Sequence, residues 1–142
     1  MKKLSFVFAV ILLITVSCAK KDTAEQLYGT TWELEYISGP RIAFDGLFPD
    51  KKPQLTFDKE ANKAIGNNGC NGYSAEFTLG EENAISFGEP GPTTMMYCGQ
   101  GEQEFLKTIK KINKYSFDLE GKLNLLMDDV TMMRFKKVTT EE

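Results

Sequence analysis

The chain has 142 residues, 42% hydrophobic and 26% charged, the proportions of one ordinary globular domain rather than a disordered chain. Its net charge is -3 with no basic cluster, which argues against nucleic acid, since phosphate neutralisation needs Lys and Arg gathered on one face. It contains no histidine, which removes Ser-His-Asp and Cys-His nucleophile pairs, imidazole bases and His-ligated zinc.

Residues 1–18 read MKKLSFVFAVILLITVSC. Lys2 and Lys3 form a positive start, and Leu4 to Val16 is a run too short for the ~20 apolar residues that span a bilayer. This is the layout of a cleaved export signal. The Ser17-Cys18 ending resembles a bacterial lipoprotein signal, with Thr15 where that pattern prefers Leu. By that resemblance residues 1–17 are removed and Cys18 becomes the first mature residue and carries the lipid. Each buried acyl methylene then contributes ~0.8 kcal/mol to membrane attachment. The alternative is an ordinary secretory signal with an incidental cysteine. Residues 18–26 are short and polar, a lipidated tether. Ala19 in place of Asp points, by analogy, to the outer membrane facing the periplasm. Without Lys2 and Lys3 the mature chain carries 15 basic against 20 acidic side chains.

From Leu27 onward short strands follow one another. TWELEYI alternates Trp32, Leu34 and Tyr36 against Glu33 and Glu35, a period of two. PQLTFD repeats this with Leu55 and Phe57, YSAEFTL with Tyr73, Ala75, Phe77 and Leu79, and AISFG with Ile85 and Phe87. KYSFDL, with Tyr115, Phe117 and Leu119 inward, then KLNLLM and VTMMRFKKV form a meander with turns at 120–122 and 128–129. Between Gly39 and Pro53 lies a loop with unusual apolar content, Ile42, Phe44, Leu47 and Phe48, expected to fold back over one end of the core. A lid over an apolar cavity is its functional alternative. GEQEFLKTIKKI, residues 101–112, carries Phe105, Ile109 and Ile112 at helical spacing, with Glu in its first turn and Lys later. This helix should cover one face of the sheet and turn its lysines to solvent.

The stretch NNGCNG, residues 67–72, places Cys70 among residues that tolerate positive φ, as in a tight turn between antiparallel strands. A phosphate loop would need a Lys-Ser/Thr ending and a following helix, and neither is there. In an oxidising compartment Cys70 has one plausible partner, Cys98, and a bridge would stabilise the fold by roughly 3–4 kcal/mol. Two free thiols are the alternative. Two cysteines without histidine do not suggest a metal site.

These residues resemble the META domain family, to which the HslJ-like lipoproteins belong. Leu27, Gly29 and Trp32 match its opening motif, and Gly69, Cys70, Asn71 and Tyr73 match its Gly-Cys-Asn before an aromatic. Thr94, Met96 and Cys98 match its Thr-x-Met-Ala-Cys, with Tyr97 in place of Ala, and Glu104 and Phe105 match the Glu and helix that follow. The likeness covers residues 27–138. It implies an α+β domain, a curved antiparallel sheet or open barrel of about seven to eight strands with one helix packed on it. The family offers no agreed catalytic residues and no cofactor.

The functional expectation is therefore a non-enzymatic, exported envelope lipoprotein, anchored to a membrane by its N-terminal lipid, acting in envelope stress or through an envelope protein partner, without metal or nucleic acid. Three alternatives stand beside it. One is a carrier or sensor of a small apolar ligand under the 39–53 loop. Another is an inhibitor of a secreted hydrolase. The last is an enzyme using carboxylates such as Glu76, Asp128 and Asp129, where solvated charge is the plainer role.

Overall fold

The computed structural model describes residues 23–91 and 96–138. The alternating segments become eight strands: β1 Thr31–Ile37, β2 Gln54–Asp58, β3 Lys63–Asn67, β4 Gly72–Leu79, β5 Ile85–Phe87, β6 Lys114–Phe117, β7 Leu123–Met127 and β8 Val130–Lys137. They lie in one sheet in the order β5-β4-β3-β2-β1-β8-β7-β6, each antiparallel to its neighbours. The two ends of that order meet at an antiparallel bridge between Ala84 and Lys114. The Ile85 N–H donates to the Asn113 carbonyl beside it, at 3.2 Å. The sheet thus curls into a nearly closed barrel, as the α+β expectation required.

The curl follows from the period of two. Trp32, Leu34, Leu55, Phe57, Leu125 and Phe135 are buried in one core. Each large apolar side chain so placed contributes ~1.5–3 kcal/mol, and a flat sheet could not bring them together. Two of the inward assignments are corrected. In β1 the register against β8 slips between Leu34 and Tyr36. That bulge turns Ile37 inward and leaves Tyr36 exposed under the Arg134 guanidinium, 5.6 Å from the ring centre. Strand β6 stops at Phe117 because the Asp118 carboxylate accepts the Glu120 and Lys122 N–H groups, each at 2.9 Å. The resulting turn throws Leu119 fully into solvent.

The 39–53 segment is not wholly loop. It holds a short helix, α1 Phe44–Leu47. Leu47 and Phe48 fold back over the barrel end as expected, while Ile42 stays exposed. The main helix, α2, runs Gly99–Ile109, earlier at both ends than the periodicity predicts. Phe105 and Ile109 are buried, and Ile112, just past the helix, is buried as well. Lys107, Lys110 and Lys111 face solvent, with Lys110 bonded to Glu89 at 2.6 Å.

On the outer face of the sheet Glu35 accepts from Arg134 Nε at 2.7 Å and lies 3.1 Å from Lys122 Nζ. Partial desolvation raises the Glu35 pKa, but the hydrogen bonds and charges of Lys122 and Arg134 outweigh it and hold the carboxyl below its ordinary 4.5. A group depressed on folding stabilises the fold above its unfolded pKa, and that contribution is lost as pH falls through the folded value. With no histidine in the chain and Cys70 and Cys98 paired, the described residues lack the side chains that ordinarily titrate near neutrality. Urea midpoints should therefore stay level from about pH 6 to 8 and fall below about pH 4.5. The Glu35→Gln protein should show a shallower acid limb.

Candidate functional site

The polar focus of the barrel is the connection between β3 and β4. Asn67, Asn68 and Asn71 are all buried there, which is costly unless each amide is bonded. The bonds are made locally. Asn67 Oδ1 accepts the Gly69 N–H at 3.0 Å. Asn68 Oδ1 accepts the Cys70 and Asn71 N–H groups at 3.2 and 2.9 Å. Gly69, at φ +101°, supplies the left-handed residue that this tight course requires.

Asn71 then ties the turn to the segment before α2, pairing with Met96 as a strand neighbour would. Its Nδ2 donates to the Met96 carbonyl at 2.9 Å, and its Oδ1 accepts the Met96 N–H at 3.0 Å. Beside this pairing lies the Cys70–Cys98 disulfide, with Cα atoms 5.9 Å apart, inside the range a bridge spans. Cys98 immediately precedes α2. From the first turn of that helix Glu102 Oε1 accepts from Asn68 Nδ2 at 2.6 Å and from Asn71 Nδ2 at 2.8 Å. Turn, disulfide and helix start are thereby one cross-linked unit.

Phe48 locks this unit to α1. A methyl group on Gly69 would come within 2.6 Å of the Phe48 ring, and one on Gly101 within 2.9 Å. Both glycines admit the ring because neither has a side chain.

The opening motif sits elsewhere in the barrel. Leu27 and Trp32 are fully buried, and the indole N–H donates to the Leu27 carbonyl at 3.0 Å across the turn at Gly29, whose φ is +68°. The second and third motifs do converge: Gly69, Cys70, Asn71, Met96 and Cys98 all belong to the turn unit. Tyr73 lies just below it, edge-on to Phe105 at 5.4 Å. Met96 contributes its backbone to this unit, the residue being 61% exposed, and Tyr97 beside it is exposed too. The expected roles of Cys18 and Thr94 fall outside the described residues.

Two residues of the unit escape a reading by sequence. Glu104 fits the family spacing, but it faces Lys107 at 4.0 Å, and Glu102 is the carboxylate that reaches the asparagines. The signal was present as an acidic residue in the first turn of α2, but nothing local distinguishes one glutamate from its neighbour two positions on. Phe48 is an apolar residue in a loop, and only the glycines across from it give it a partner.

Of the carboxylates considered for chemistry, Glu76 lines one groove, of about 740 Å³, with Tyr28, Lys59 and Thr78. Asp128 and Asp129 line another, of about 400 Å³, with Glu81 and Glu82. Asp128 is bound to Asn113 at 2.9 Å, and Asp129 lies 3.5 Å from Lys114. The three are therefore not brought together. No group of three or more potential metal ligands occurs among the described residues.

The Tyr73 hydroxyl is buried and has no hydrogen-bond partner among the described residues. Burial, with Glu89 adding to it, drives its pKa upward, so it stays neutral. An orphaned hydroxyl costs about 1–3 kcal/mol. Tyr73→Phe should thus be neutral or raise the unfolding free energy by about 1 kcal/mol in urea titrations. A loss of more than that would mean the hydroxyl has a bond.

Fold and site together define a small antiparallel barrel whose open end is fastened by a disulfide and an asparagine turn. The META domain family model matches residues 25–139, and the chain belongs to that family. It is similar in structure to a protein from Burkholderia xenovorans solved by NMR, with a TM-score of 0.62 over 83% of this chain and 88% of that one. At 24% identity that likeness shows the fold. No curated protein matches the chain.

Proposed function

We propose that this META-domain protein is an exported, lipid-anchored, non-enzymatic module of the HslJ-like kind. On this reading it is held by Cys18 at the outer membrane facing the periplasm, and it acts in envelope stress through a protein partner. The Cys70–Cys98 pairing carries the reading, because such a bond forms and persists outside the reducing cytosol. The residues before it supply the route: a positive start, an apolar run and Ser17-Cys18. The polar focus of the barrel supports a structural use, since its side-chain amides bond to backbone groups and to Glu102. Leu47 and Phe48, which a lid over an apolar ligand would employ, are spent on the core.

The test is to express the full chain in a diderm bacterium with an alkynyl palmitate label and to record intact mass and free thiols. Lipid on the wild type, none on Cys18→Ser, loss of residues 1–17 and no free thiol at Cys70 or Cys98 are expected. An unlabelled protein that keeps its first 17 residues and titrates with two free thiols would overturn the reading.

A further inference from the structure

The turn unit contains a charge that its structural role does not need. Asn71 Nδ2 donates to Glu102 Oε1 at 2.8 Å and lies 3.3 Å from Cys98 Sγ. The carboxylate and the sulfur share one nitrogen and so lie no more than about 6 Å apart. No salt bridge joins Glu102 to a Lys or Arg among the described residues, and its neighbours at Oε1 are neutral amides. A neutral glutamine there could accept the same two hydrogen bonds.

We propose that Glu102 is an electrostatic guard of the Cys70–Cys98 disulfide, a positioning residue whose negative charge slows attack by thiolates. A thiolate RS⁻ attacks one sulfur of the bridge, a new S–S bond forms there, and the Cys70–Cys98 bond breaks. Its electron pair leaves on the other cysteine as thiolate. A second RS⁻ then attacks the reagent sulfur of that mixed disulfide and expels the protein cysteine as thiolate, so that the bridge is reduced to two thiols and the reagent oxidised to RSSR. Where attack falls on Cys98, the sulfur nearest the carboxylate, Glu102 repels the incoming anion, and a thiol with an anionic tail is repelled more than one with a cationic tail. The start of α2 pulls the other way with its partial positive charge, but it is the same with Glu or Gln at position 102. At about 6 Å near a protein surface, a full unit charge would change such a rate by about a hundredfold; the negative charge in the exchange is spread over the attacking and leaving sulfurs, about half of it beside Cys98, which leaves about tenfold.

The experiment uses the oxidised whole protein and two thiols of opposite charge, 2-mercaptoethanesulfonate and cysteamine, with wild type, Glu102→Gln and Glu104→Gln. Glu102→Gln should react about tenfold faster with the sulfonate thiol and clearly less than tenfold faster with cysteamine, while Glu104→Gln matches wild type. If Glu102→Gln accelerates both thiols alike, the substitution has only loosened the turn and the guard is refuted. No acceleration with the sulfonate thiol refutes it as well. Neither outcome bears on lipid attachment or on whether Cys70 and Cys98 pair in the exported protein, which the palmitate label and the thiol count decide.

Discussion

Removing the Cys70–Cys98 bridge is expected to lower the unfolding free energy by about 3–4 kcal/mol, the chain-entropy value for a closed loop of this length. The two cysteines are 28 positions apart, and the loop between them contains β4, β5 and the approach to α2. An unbridged chain gains the freedom of all that length when it unfolds. The folded state loses less, because Asn71 still pairs with Met96 and Glu102 still holds Asn68 and Asn71. Cys70→Ala/Cys98→Ala should therefore fold with the same far-ultraviolet spectrum and melt roughly 10–15 °C lower. Dithiothreitol should lower the wild-type melt to the same value and leave the double variant unmoved. A double variant within about 1 kcal/mol of wild type would show that the hydrogen bonds alone fasten the turn.

The second large effect is expected at two glycines, against what secondary-structure propensity suggests. Gly101 lies inside α2, where alanine ordinarily gains ~1 kcal/mol. Its missing side chain is nevertheless where the Leu47 carbonyl oxygen of α1 sits, and a methyl group there would overlap that backbone atom and press the Phe48 ring. Gly66, in β3, likewise faces the Gln54 carbonyl oxygen so closely that a methyl group would overlap it. A backbone atom cannot rotate away as a side-chain tip can. Gly101→Ala and Gly66→Ala should each lose about 2–3 kcal/mol in urea titrations. Gly121→Ala makes a useful contrast. Its methyl group would meet nothing, so any cost there comes from the left-handed backbone, φ +76°. A Gly101→Ala protein as stable as wild type would mean that α1 moves off α2 at no cost, and that the Phe48 lock is loose.

The strands were legible because burial of a sheet face imposes a period of two, which can be read wherever the chain stays extended. That reading failed at Tyr36 and Leu119 for the same reason in two forms. A register slip against β8 reversed the first, and an Asp118 side chain ended the strand before the second. Neither event leaves a mark in hydrophobicity. The asparagine-glycine turn and the candidate partner for Cys70 could also be read, since positive φ and cysteine number are local properties.

What the amino-acid order alone determined is thus a chain of amphipathic strands with one helix and four motifs in family order. Tertiary structure alone decided that the barrel nearly closes at Ala84 and Lys114, that Glu102 rather than Glu104 meets the asparagines, and that Phe48 lodges between two glycines. Those choices depend on which surfaces arrive opposite one another once the sheet has curled. Contact between residues tens of positions apart is set by twist and register summed over every intervening strand, and no local stretch of sequence carries that sum.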